Sequence, residues 1–178
     1  GYHGLAHGAL APSAYKAEDF RAPFSAQLGQ HVTFAPFGQS PLPPLRSQGI
    51  GCVLVEPIQG RGGVRSASAQ WLAELRRHCD AEGALLVYDE IYSGFGRTGS
   101  WFAYQAACCP GGEVTEAEVT EAEVGMEEER RGRLEEPATG AVAPDMICLG
   151  KAMGGGCPIS VCLGTCEAMD AWGASKGE

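Results

Sequence analysis

Several signatures are missing from this chain, and each absence removes a class of function. No apolar run approaches the roughly 18 residues that a membrane-spanning helix needs. No GxGxxG or P-loop pattern is present, which argues against dinucleotide and nucleoside-triphosphate binding. There is no basic stripe and no aromatic-plus-basic array, so nothing points to nucleic acid. Eight cysteines occur, yet none forms a CxxC pair, and no metal site is expected. Cys52, Cys148 and Cys162 sit inside apolar runs, where cysteine behaves as a small hydrophobe. Adjacent Cys108 and Cys109 cannot easily bridge each other. That usage fits a reducing compartment, a cytoplasm or an organellar matrix. No signal peptide is visible, but the chain opens on Gly1 rather than Met and stops at Glu178 without an evident terminal element. Both ends read as those of an internal fragment, whose missing N-terminus would hide any targeting segment.

What is present is unevenly distributed. The 178 residues carry a net charge of −9. From Glu113 to Glu136 there are ten Glu against three Arg, a net of −7, so one segment accounts for most of the acidity. The same segment repeats itself: Glu113-Val-Thr-Glu-Ala is followed by Glu118-Val-Thr-Glu-Ala. Residues 107–140 therefore read as a low-complexity acidic insertion, disordered or loosely helical, with little to bury. The first 50 residues are loop-rich, with Pro41, Pro43 and Pro44 marking irregular chain.

Four short apolar runs stand out: Cys52–Val55, Ala84–Tyr88, Met146–Leu149 and Ile159–Leu163. All are continuous rather than alternating, the pattern of strands buried on both faces. Between the first two lies a helix. Ser68 can cap it, and Trp71, Leu72, Leu75 and Cys79 recur on one face. Glu74, Arg76, Arg77 and Asp80 are expected to face elsewhere, and Gly83 supplies the stop. Strand, helix, strand predicts a βαβ unit with parallel strands.

Ligands of open α/β sheets bind beyond the carboxyl ends of the strands. The first three runs are followed by Glu56, Asp89 and Lys151. If the strands are neighbours, two carboxylates and one lysine converge on one edge. Each alone has a plain reading: a solvated lysine, a turn-forming Asp, a loop Glu before Pro57. Together, with Gly154-Gly155-Gly156 after the lysine, they suit a Schiff-base site. Such a lysine needs an electrophilic carbonyl and a desolvated setting. Pyridoxal 5'-phosphate supplies the carbonyl, and a carboxylate must keep its ring nitrogen protonated. At about 4 Å that pair is worth roughly 4 kcal/mol at an effective dielectric near 20. Asp89 and Lys151 match the two roles.

Glu56-Pro-Ile-Gln-Gly, Asp89-Glu-Ile-Tyr-Ser-Gly-Phe-Gly-Arg-Thr-Gly and Pro144-Asp-Met-Ile-Cys-Leu-Gly-Lys151-Ala-Met-Gly-Gly-Gly resemble the class III aminotransferases, as does Tyr2-His3-Gly4. The four motifs come in the family's order and cover nearly everything except the insertion. The resemblance implies an α/β fold: the large domain of a fold-type I pyridoxal-phosphate transferase, three-layer α/β/α with a mostly parallel sheet. Residues 1–106 and 141–178 would form part of that domain, in a homodimer. It implies that Lys151 holds the cofactor as a Schiff base, and that Asp89 pairs with the pyridine nitrogen. Tyr2 would lie on the cofactor ring face with His3 beside it, and Glu56 near the substrate. The implied reaction moves an amino group from an amine or amino-acid donor to a keto-acid acceptor. Decarboxylase or aminomutase chemistry on the same scaffold, or a catalytically silent fragment, are the alternatives.

Departures from the family pattern bear on substrate. Tyr92 stands where many relatives carry a Gln near the cofactor's phenolic oxygen. Arg61 stands where many carry a Glu that acts in substrate selection, and Leu5 where some carry a carboxylate-binding Arg. Arg61 is thus a substrate-side candidate, while donor and acceptor stay open. The resemblance further implies that the phosphate-binding Ser-Gly-Thr loop precedes Gly1. A threonine from the partner subunit would follow Glu178. The composition of the acidic segment cannot repay its ordering entropy, and long surface insertions raise loop-closure cost only slowly. Deleting Gly112 to Glu136 is therefore expected to leave the melting temperature of the complete protein unchanged within a few degrees. A large drop in a thermal-shift assay would show that the segment packs on the domain.

Overall fold

A computed structural model describes residues 1–108 and 142–170. The acidic repeat, and with it residues 109–140 of the expected insertion, lies outside the described residues. The chain opens with 50 residues of loops holding two single-turn helices, α1 (His7–Leu10) and α2 (Ala17–Phe20). Strand β1 (Cys52–Val55) follows, then a two-stranded antiparallel hairpin, β2 (Ile58–Gln59) and β3 (Arg65–Ser66). Helix α3 (Ala69–Glu82) leads into β4 (Leu85–Asp89), and a turn-rich stretch leads to α4 (Ala103–Cys108). Beyond the undescribed segment come β5 (Met146–Leu149), a 3-10 turn at Lys151–Gly154, β6 (Val161–Gly164) and α5 (Cys166–Asp170).

The main sheet has the order β1-β4-β5-β6. β1 and β4 are parallel, with Cys52 opposite Leu85 and Val55 opposite Tyr88. β4 and β5 are parallel, with Asp89 opposite Cys148. β6 returns antiparallel, with Cys148 opposite Cys162. The helix between β1 and β4 is what permits their parallel pairing, since a tight turn cannot reverse the chain twice. Ser68 caps α3, its hydroxyl oxygen accepting from Trp71 N at 3.1 Å. Gly83 ends it at φ 70°, a left-handed conformation that costs glycine little and a β-branched residue much. The predicted face is the buried one: Trp71, Leu72, Leu75 and Cys79 pack with Leu86, Tyr88, Ile147 and Leu149. Burial of this kind stabilises by about 25 cal/mol per Å² of apolar surface removed from water.

Three expectations are corrected. β6 is not buried on both faces: Cys162 and Leu163 are exposed, because this strand closes the sheet as an antiparallel edge. Cys52 and Cys162 are exposed too, so they are not core hydrophobes; Cys79 is, and burial pushes its thiol up to about 11. Arg76 does not face solvent. It lies four residues after Leu72 and three before Cys79, so its stem shares their face and only 8% of the residue is exposed. Burial works against its charge, but bonds to Asp145 and Asp80 outweigh it and raise the guanidinium's pKa. The contacts are 2.7 Å to Asp145 Oδ2 and 2.5 Å to Asp80 Oδ1. The same Asp145 Oδ2 accepts from Leu86 N at 2.6 Å, stitching α3, β4 and the entry to β5 together. Among the described residues no helix is long and apolar enough to cross a membrane.

Asp145→Ala removes an acceptor from both Arg76 and the β4 backbone. Hydrogen bonds to charged groups are worth about 2 kcal/mol each, so the complete protein should unfold at a clearly lower urea concentration. An unchanged urea midpoint would show that this carboxylate is replaceable by water.

Candidate active site

Because β1, β4 and β5 are adjacent and parallel, the residues at and just beyond their C-terminal ends emerge on one edge of the sheet. Those residues are Glu56, Asp89 and Lys151. The N-terminal turn Tyr2-His3 folds over them. Glu56 is buried and hydrogen-bonded through both oxygens. Its Oε1 accepts from Tyr2 N at 2.7 Å and its Oε2 from Gly60 N at 3.3 Å. It thus ties the N-terminal turn to the hairpin that carries Arg61, with one backbone donor on each oxygen.

Asp89 is 6% exposed and faces His3. His3 Nδ1 lies 2.8 Å from Asp89 Oδ2, and an ionised carboxylate can only accept, so Nδ1 carries the proton of that contact. Asp89 Oδ1 accepts from Ile91 N at 3.1 Å. Each oxygen offers two lone-pair directions, so Asp89 retains room for one more donor. His3 is itself clamped. Its backbone N–H donates to Ser13 Oγ at 2.9 Å, and a Cβ at Gly1 would come within 2.4 Å of its Nε2. The neighbouring Glu90 goes the other way. It is 1% exposed and accepts from Tyr104 N at 3.0 Å and from the Ser93 hydroxyl, capping the start of α4. Burial pushes the Glu90 carboxyl up, against the hydrogen bonds that lower it.

Lys151 has φ 43°, left-handed, which is uncommon for a residue with a side chain. Such strain costs of order 1–3 kcal/mol and concentrates at functional sites. Lys151 Nζ lies 3.5 Å from the centroid of the Tyr92 ring. The lysine is exposed, although the sequence predicts a desolvated Schiff-base lysine; among the described residues the Tyr92 ring lies against its ammonium. Tyr92 Oη accepts from Arg61 Nε at 3.3 Å. The Arg61 guanidinium lies 4.4 Å from the Tyr2 ring centroid and 5.6 Å from that of Tyr15. All seven candidate residues therefore join one contact network. It runs from Asp89 through His3 to Tyr2, on to Arg61, Tyr92 and Lys151, with Glu56 beneath Tyr2.

Sequence reasoning missed Ser13 and Tyr15. Ser13 is 2% exposed, and besides accepting from His3 N its hydroxyl reaches Ala9 O at 3.0 Å. Tyr15 stands edge-on to Tyr2 with centroids 5.8 Å apart. Both follow Tyr2-His3 within one loop, and no local pattern marks a serine or tyrosine there as a support. A cavity of about 390 Å³ along β1 is lined by His3 and Glu56 at one end and by Phe37, Trp71 and His78 elsewhere. Neither Asp89 nor Lys151 lines it, so the cavity is separate from these two strand-end candidates.

Comparison with known proteins agrees with the geometry. The profile described as Aminotransferase class-III matches residues 1–112. Acetylornithine aminotransferase of Methanopyrus kandleri is 32% identical over 173 residues, 97% of this chain and 35% of that protein. The Corynebacterium efficiens acetylornithine aminotransferase is 32% identical over 180 residues, 99% of this chain and 36% of that protein. Among solved structures, Plasmodium falciparum ornithine delta-aminotransferase superposes with a TM-score of 0.50 at 27% identity, covering 70% of this chain and 24% of that one. The chain thus spans about a third of the length of these curated relatives. With strand-end residues and motifs in this arrangement, and a profile match over more than half its length, the chain belongs to the class-III aminotransferase family.

Proposed function

We propose that the protein carrying this chain transfers an amino group from an amine or amino-acid donor to a keto acid, with pyridoxal 5'-phosphate as cofactor. The observation that carries the reading is the pairing of a backbone-strained Lys151 with a buried Asp89 one strand away. The donor set fits the cofactor: a primary amine, a carboxylate with acceptor capacity left over, and the aromatic faces of Tyr2 and Tyr92. Pyridoxal phosphate, when bound, supplies an aldehyde and an electron-withdrawing ring.

Lys151 would hold the cofactor through Nζ. Once the donor's amine has displaced it, the same Nζ would take and return the proton of the donor's amine-bearing carbon. Asp89 would hold the proton on the pyridine nitrogen. His3, donating to Asp89 Oδ2, orients that carboxylate. Glu56 acts as a positioning residue, fixing the backbone of Tyr2 so that its ring can cover the site. Tyr92 would support Lys151 from below, and its hydroxyl proton stays available for an oxygen of the cofactor. A homodimer and a reducing compartment, cytoplasm or organellar matrix, complete the proposal.

Two experiments test it in the complete protein. Borohydride reduction of the cofactor-loaded protein should leave a stable adduct on the peptide containing Lys151, and Lys151→Ala should abolish it; trapping that persists on another lysine would reassign the role. Asp89→Asn should keep the fold and some bound cofactor but lose turnover by about 100-fold or more. That figure follows from an electrostatic contribution of a few kcal/mol at about 1.4 kcal/mol per decade. Turnover within a few-fold of wild type would remove Asp89 from the pyridine nitrogen.

A further inference from the structure

Two cysteines of the main sheet lie side by side and have no part in the proposed chemistry. Cys148 on β5 is paired in register with Cys162 on β6. The next pair toward the β5–β6 loop is Leu149 with Val161, and both pack into the core that α3 covers. Side chains alternate across a strand, so Cys148 and Cys162 share the opposite face. Cys148 is half-buried and Cys162 is exposed.

Their spacing follows from the backbone. β5 lies between β4 and β6. Cys148 O accepts from Glu90 N, just beyond β4, at 3.0 Å. A residue of a regular strand sends its N–H and C=O to the same side, so the backbone groups of Cys148 point to β4 and not to β6. Cys148 and Cys162 are therefore a non-hydrogen-bonded antiparallel pair, the kind with Cα atoms about 4.5 Å apart and side chains closest. A disulfide needs a Cα separation of roughly 4.4 to 6.8 Å. The pair meets that requirement without movement of either strand. The two thiols also hydrogen-bond to each other; burial pushes the Cys148 thiol up to about 12, and Cys162 adds to the rise.

What the pair encloses gives its position a consequence. Residues 150–160 join β5 to β6, and they carry Lys151 and the run Gly154-Gly155-Gly156. Gly155 and Gly156 have φ of 56° and 105°, backbone that only glycine adopts freely and that gains most freedom when the loop opens. Cys148 and Cys162 stand at the two feet of this loop, each one residue inside its strand from the loop side. A covalent bond between the feet closes a short ring of chain and removes open conformations from the loop.

We propose that Cys148 and Cys162 form a dithiol–disulfide site whose oxidation tethers the feet of the Lys151 loop. The oxidant is a small organic disulfide such as oxidised glutathione. Exposed Cys162, as thiolate, attacks one of its sulfurs; that S–S bond breaks, and the departing thiolate takes up a proton. Cys148 then loses its proton and attacks the Cys162 sulfur of the mixed disulfide, expelling the second thiolate, which is protonated in turn. The protein pair gives up two electrons and two protons, and the small disulfide becomes two thiols. The mixed disulfide carries no charge on Cys162, so one cause that holds the proton on Cys148 disappears at the first step. A reducing compartment keeps the pair as a dithiol, and the site responds when disulfides accumulate. It needs no cofactor and stands apart from the amino-group transfer proposed above.

The test treats the complete protein with oxidised glutathione, blocks remaining thiols with iodoacetamide and maps its peptides by mass spectrometry. Wild type should yield the Cys148 and Cys162 peptides cross-linked, two hydrogens lighter than their sum, and dithiothreitol should separate them. Cys148→Ser should instead accumulate glutathione on Cys162, because the resolving thiol is gone, and Cys162→Ser should give neither product on Cys148. Cys148→Ala repeats the first variant without a hydroxyl, should the serine disturb folding. Amide hydrogen exchange across residues 150–160 should slow by severalfold on oxidation of wild type and recover on reduction. The proposal is overturned by glutathione that stays on Cys162 in wild type, or by a cross-link from Cys162 to Cys157 or Cys166. It is equally overturned if no cross-link forms, or if exchange in the loop is the same in both redox states.

Discussion

The parallel pairing of β1, β4 and β5 is the constraint on which the site depends. Parallel strands side by side end on the same edge, so residues distant in sequence emerge together. Glu56, Asp89 and Lys151 lie on three separate segments, and no local structure could bring them together. The pairing is held from one side by α3, whose apolar face covers β4 and β5 with Leu72, Leu75 and Cys79. It is held at the entry to β5 by Asp145, which accepts from both Arg76 and Leu86 N. An ion pair on the helix and a backbone bond on the sheet share one oxygen, so register and helix placement are coupled.

Neighbouring carboxylates on that edge have divided their work by burial and partner. Asp89 faces His3 and keeps lone pairs in reserve. Glu90, one residue on, caps α4 and braces the turn through Ser93. Glu56 accepts one backbone donor on each oxygen and so acts as a strut between the N-terminal turn and the β2–β3 hairpin. The chemistry of each carboxylate thus follows from its hydrogen bonds and not from its residue type.

The aromatic residues play the matching part for the cations. Tyr92 touches both Lys151 and Arg61, and Tyr2 lies under Arg61 while its backbone is bound by Glu56. Rings can hold a guanidinium or an ammonium without neutralising it. Each cation therefore stays available to an incoming group. Lys151, a side-chain-bearing residue at φ 43°, holds a left-handed backbone conformation just beyond β5.

The amino-acid sequence alone determined the βαβ unit, the helix face, its Ser68 cap and Gly83 stop, and the strand-end positions of Glu56, Asp89 and Lys151. Those features are local: hydrophobic period, capping chemistry and chain-order motifs are written in neighbouring residues. Family membership was legible for the same reason, through contiguous motifs around the three strand ends. The tertiary structure alone decided the rest. It turned Arg76 inward, because an acid from the entry to β5 meets it there. It made β6 an exposed antiparallel edge, because a continuous apolar run does not reveal which neighbour it will pair with. It recruited Ser13 and Tyr15 beneath the site and turned Glu56 into a strut. Each of these is a contact between segments separated in sequence, and such contacts depend on how the chain returns upon itself.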